Sequence, residues 1–293
     1  MSLFYDDPTP ESLKRDAYHS LCAAARELKK DTIEHLLVQY PDLVDTTLSY
    51  SISPIENLVG TSMYGSAEQN KNRRACCELI FGARDPQSEI KSDWLKRAVG
   101  RGDIDMVDAF LRSTWGQTLL TKPFVDHNLN LGFASIFDDH RSYSGIYPYF
   151  KMTELFLESG VKHLHSTLVA GLNQLFWTNN AILQDAIQPE KEQDIIQAGK
   201  LIIQSMDWED PSMDRKAFLK ILASSSYPGG APTLWPLVTE ILKYATQDHQ
   251  SGIEEQRLYL INKNPAMGAL FERALLENTP PTHHHPKLSR PRL

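Results

Sequence analysis

Cysteine and histidine carry the most direct chemical potential in this chain of 293 residues. Cys76 and Cys77 are adjacent and head the apolar run Cys76-Cys-Glu-Leu-Ile-Phe81. That run reads as the start of a helix, and a helix N-terminus lowers a thiol pKa towards the nucleophilic thiolate. A distant base such as His140 would complete a cysteine-nucleophile pair. The competing reading makes both thiols small buried hydrophobes of a core helix, and the apolar run favours it. His163-x-His165 and His283-His284-His285 are imidazoles spaced for a transition metal. The first pair has no carboxylate or cysteine beside it, and the second lies in a polar tail, so neither is assigned as a ligand set. Phosphate loops, Cys-x-x-Cys pairs, His-Glu-x-x-His helices and Gly-x-Ser-x-Gly elbows are absent from the sequence. No catalytic residue, metal site or cofactor is therefore expected.

Residues suited to recognition are more numerous. The segment Asp138 to Tyr149 holds Arg141, Tyr143, Tyr147 and Tyr149, types enriched at interface hot spots. Folding back of Tyr147 and Tyr149 onto the neighbouring helix is the alternative use of those rings. Residues 71–101 carry eight basic side chains (Lys71, Arg73, Arg74, Arg84, Lys91, Lys96, Arg97 and Arg101) against four acidic ones. Residues 184–214 carry eight acidic side chains against two basic ones. Such asymmetry steers a polar partner, or marks the solvated faces of helices. Arg73, Arg74, Lys96, Arg97 and Arg101 join the four loop residues as candidate partner-binding positions.

The elements that position these residues are helical by pattern, because apolar residues recur at three- and four-residue steps. In Ser92 to Leu111, Ser92 or Asp93 caps a short helix with Leu95, Ala98 and Val99 on its inner stripe. Gly102 supplies a left-handed turn. Asp103 then caps a second helix that buries Ile104, Val107, Phe110 and Leu111. Such a pair of short antiparallel helices cannot cover its own apolar face and must stack on neighbours.

The pattern Leu95-x-x-Ala98-x-x-x-Gly102-x-x-x-x-Val107-x-x-Phe110-Leu111 resembles the helical part of an ankyrin repeat. Cys22 to Leu37 matches the same frame without gaps, placing Ala24, Ala25, Ile33, Leu36 and Leu37 at core positions. Met152 to Gly160 is similar to a second ankyrin helix with its terminal glycine. Cys77–Phe81, Lys200–Ile203 and Glu240–Leu242 look like further second helices. Their last core residues, Leu37, Phe81, Leu111, Leu157, Ile203 and Leu242, are spaced 44, 30, 46, 46 and 39 apart. A regular ankyrin period is about 33. Only Ser53-Pro54-Ile55 and Lys122-Pro123-Phe124 echo the family's Thr-Pro-Leu-His motif, so its β-hairpin fingers are expected to be reduced or absent. The resemblance implies an all-α, ankyrin-like solenoid of about six stacked hairpins. HEAT or armadillo hairpins, and after them a non-repetitive bundle, are the alternatives. The extra residues, at 62–72, 138–149, 179–190 and 225–233, all fall between the first and second helix of a unit. A stack would gather them on one edge, where repeat proteins often bind.

The expected organisation is an extension over 1–16, one repeat domain over 17–277 with capping helices from about 254, and a flexible tail over 278–293. A hydrophobic share of 41% with 23% charged residues supports a buried core. The net charge of −7 speaks against a general polyanion binder. No window approaches 18 apolar residues, and the N-terminus lacks the basic and apolar regions of a cleaved signal. Three cysteines suit a reducing cytosol. The resulting expectation is a cytoplasmic scaffold that binds a partner protein without catalysis. Degenerate ankyrin-like proteins with short polar tails also resemble bacterial effectors, which gives a host-cell protein and compartment as the alternative. An enzyme using the cysteines or the loop, and a salt-dependent nucleic-acid binder using Lys71–Arg101, are the other readings.

Overall fold

A computed structural model describes residues 9–46, 52–61, 66–90, 93–122, 127–138, 147–161, 165–182, 189–210, 221–222, 235–245 and 249–278. They are helical nearly throughout, with no strand among them. The protein is all-α. It divides into two compact units, with the boundary between Met206 and Asp207.

The first unit contains α1 (Pro10–Arg26), α2 (Lys30–Gln39), α3 (Pro54–Gly60), α4 (Ala67–Gly82), α5 (Trp94–Gly100), α6 (Ile104–Arg112), α7 (Thr114–Thr121), α8 (His127–Ala134), α9 (Tyr149–Glu158), α10 (His165–Ile182) and α11 (Pro189–Ser205). Helix α1 starts where Thr9 accepts the Ser12 amide and Pro10 presets the first turn, so the boundary expected after residue 16 falls inside it. Ser53-Pro54-Ile55 opens α3: Ser53 accepts the Glu56 amide at 3.2 Å, and its own amide donates back to the Glu56 carboxylate at 3.0 Å. Ser66 and Gln69 repeat this reciprocal cap on α4. Each device satisfies amide groups that the helix cannot pair internally.

The helices pack in two columns. Helix α1 packs on α3, α3 on α5, α5 on α8, and α8 on α10. In parallel, α2 packs on α4, α4 on α6, α6 on α9, and α9 on α11. Successive hairpins, α1/α2 through α10/α11, thus bury one another's apolar stripes, as separate hairpins of this size cannot do alone.

A common frame underlies the first column. The five first helices carry Leu21-x-x-Ala24-Ala25, Ile55-x-x-Leu58-Val59, Leu95-x-x-Ala98-Val99, Leu129-x-x-Gly132-Phe133 and Leu168-x-x-Gly171-Leu172, all buried. A Cβ on Gly171 would meet the Phe133 ring at 2.3 Å, so the missing side chain is what lets α10 approach α8. The second helices align as Ile33/Leu36/Leu37, Cys77/Ile80/Phe81, Val107/Phe110/Leu111, Thr153/Phe156/Leu157 and Gly199/Ile202/Ile203. Of these only Leu36 is not buried. Thr153 takes a position filled by Ile33 and Val107, and its hydroxyl is buried without a hydrogen-bond partner.

The densest part of the core joins the second and third hairpins. Phe81, Trp94, Phe110 and Trp115 pack with ring centroids 5.1–6.1 Å apart. Trp115 also donates its indole N–H to the Ser88 carbonyl at 2.7 Å, pinning the loop between those hairpins. Aromatic pairs in such geometry contribute about 0.5–1.5 kcal/mol beyond simple burial.

The second unit contains α12 (Trp235–Leu242), α13 (Gln250–Lys263) and α14 (Pro265–Asn278), with α14 packed on both others. Leu242, expected as a core residue, is buried, and Pro265 starts the last helix. Within α13 and α14, Leu260, Met267, Phe271 and Ala274 are buried, whereas Leu258 and Leu270 are exposed.

Candidate interaction surface

Both ends of the aromatic insertion are anchored. On one side, Asp138 closes a 3₁₀ turn through its amide to the Ser135 carbonyl at 3.2 Å. Its carboxylate accepts from Gln174 Nε2 of α10 at 2.7 Å and faces Lys96 Nζ of α5 at 3.8 Å. On the other side, Tyr147 donates its hydroxyl to the Val99 carbonyl, at the end of α5, at 2.7 Å. The Tyr147 and Tyr149 rings are 4.6 Å apart, and Tyr149 stacks on Phe137. Asp138 and Tyr147, the described residues on either side of 139–146, are thus held by the third and fifth hairpins.

This geometry changes the assignment of two candidates. Tyr147 and Tyr149 are fully buried, so they belong to the core and not to a contact surface. The Tyr149 ring lies on Phe137, just past α8, and burying rings of this size is worth more than leaving them in water. Arg141, Tyr143 and His140 lie outside the described residues.

Helix α9 begins at Pro148 and Tyr149 without a side-chain cap of its own. Asp194 of α11 supplies one from the next hairpin, accepting the Phe150 amide at 3.2 Å. Burial pushes the Asp194 carboxyl above its ordinary pKa, with the α9 amides pulling the other way.

The basic stretch is an intramolecular network. Arg73 is buried, which corrects its assignment to a partner surface. Its guanidinium grips Asp103 through both Nη atoms, with Nη1 to Oδ1 at 2.7 Å, and Nε donates to Thr61 Oγ1 at 2.8 Å. Burial opposes the charge, but the Asp103 hydrogen bonds and charge overcome it and raise the Arg73 pKa. Asp103 meanwhile caps α6 by accepting the Met106 amide at 3.2 Å.

Arg74, Arg97 and Arg101 are half-exposed or exposed, and each reaches an acceptor on an adjoining hairpin. Arg74 of α4 pairs with Asp108 of α6 at 2.5 Å, and Arg97 of α5 with Glu56 of α3 at 3.2 Å. Arg101 donates to the Val59 carbonyl, capping the end of α3. Arg84 reaches back to the first hairpin, to the Val44 carbonyl at 2.7 Å and the Asp45 carboxylate at 3.0 Å. Its charged plane also lies 4.9 Å from the centre of the Trp115 ring. Lys91 lies outside the described residues.

The cysteines are placed as core filler. Helix α4 begins at Ala67, so Cys76 and Cys77 sit mid-helix and not at its N-terminus, correcting the expected start. Both are fully buried. Burial pushes the thiols up to about 11 at Cys76 and about 12 at Cys77. Neither carries a thiolate near neutral pH, which removes the chemical basis of the cysteine-nucleophile reading. Among the described residues, no three histidine, cysteine or carboxylate side chains gather as a metal would require. His165 is described and half-buried; His163 and His283–His285 lie outside the described residues. No described helix is long and apolar enough to cross a membrane.

Sequence reasoning did not find Asp138, Gln174 and Asp194 as anchors. Each acts on a residue 36–44 positions away, and local spacing carries no signal for that. Neither a family model, nor a curated protein, nor a solved structure matches the chain.

Proposed function

We propose that this chain is an ankyrin-like helical scaffold that binds a partner protein and presents residues 139–146 to it. What carries the reading is the anchoring of Asp138 and Tyr147, which ties the residues on either side of 139–146 to flanking hairpins. A loop fixed at its base loses less conformational entropy on binding than a free one. The residues between the anchors include Arg141 and Tyr143, types that dominate interface energetics. The two-column packing and the shared apolar frame of the hairpins support the ankyrin-like architecture.

The test compares proteins retained by the wild type with those retained by an Arg141→Ala/Tyr143→Ala double variant. A urea titration of each confirms that the fold is unchanged. Loss of specific retained proteins at an unchanged urea midpoint is the expected result. Identical retained sets at equal stability would remove the loop from the interface.

A further inference from the structure

We draw no further inference here: the strongest candidate, the exposed apolar side chains Leu258 and Tyr259 of α13 with Leu270 and Leu276 of α14, carries nothing because nothing in the structure shows what covers them.

Discussion

The first and third hairpins turn on the same hydrogen bonds with different residues. In α1/α2, Lys29 N bonds to Ala24 O at 2.9 Å and Leu28 N to Ala25 O at 3.3 Å. In α5/α6, Asp103 N bonds to Ala98 O at 3.0 Å and Gly102 N to Val99 O at 2.8 Å. Both turns pass through left-handed backbone, at Leu28 (φ 56°) and Gly102 (φ 69°). Glycine adopts that conformation freely, whereas a side chain there costs about 1–2 kcal/mol. At the following position Asp103 caps its helix and binds Arg73 of the neighbouring hairpin, while Lys29 provides no side-chain cap. The apolar spacing is thus enough to set the hairpin. The residues at the turn decide how tightly it is locked to the next one.

The largest expected effect is at that lock. Asp103→Ala removes a cap worth about 1 kcal/mol and strands a buried guanidinium, at about 3–5 kcal/mol. The same change at the equivalent Lys29 is expected to stay within about 0.5 kcal/mol. Urea midpoints at constant slope read both. Equal shifts would break the comparison.

Next comes the shared core position of the second helices. Val107→Thr buries a new hydroxyl and is expected to destabilise by about 1–3 kcal/mol. Thr153→Val makes the reverse change and should stabilise by about 1 kcal/mol, since that hydroxyl has no partner to lose. Destabilisation by Thr153→Val would mean that the frame does not extend to the fourth hairpin.

Cys77 occupies the same position in the second hairpin, and its burial is expected to make stability there depend on pH. Its thiol pKa is raised on folding from about 9 to about 12, so the neutral form is favoured in the fold. That contribution is complete below pH 9 and is lost as pH rises from about 9 towards 12. Cys77→Val should flatten the alkaline loss of stability, measured by urea unfolding between pH 8 and 10. Rapid labelling of native Cys76 or Cys77 by iodoacetamide at pH 8 would contradict their burial.

The smallest effects lie at the turns. Gly102→Ala is expected to cost about 1 kcal/mol, and Lys29→Asp to add about 0.5 kcal/mol by supplying the missing cap. The exposed pair between Lys29 and Glu27 that the second change removes is worth little.

These two hairpins were legible because nothing interrupts them: Ala24, Ala25, Ile33 and Leu37 repeat Ala98, Val99, Val107 and Leu111 at identical spacing, all buried. The last core residues of all six expected second helices are also buried. The first helices of the second, fourth and fifth hairpins were harder to see. Gly132 and Gly171 read as helix breakers in sequence, yet they permit close approach to Leu95 and Phe133. Long insertions also hide the register between each first and second helix. The candidate surface was less legible still. Arg73 looked like one more member of a charge run, because its partner Asp103 is thirty residues away. Tyr147 and Tyr149 have interface chemistry, and only the packing of α8, α9 and α5 decides that they face inward.

The most direct test of charged side chains as locks between hairpins is a double-mutant cycle on Arg73→Met and Asp103→Asn. Asparagine keeps a capping oxygen for Met106 N, so the cycle isolates the link between α4 and α6. A coupling of about 2 kcal/mol or more in urea unfolding is predicted. A coupling near zero would contradict the lock.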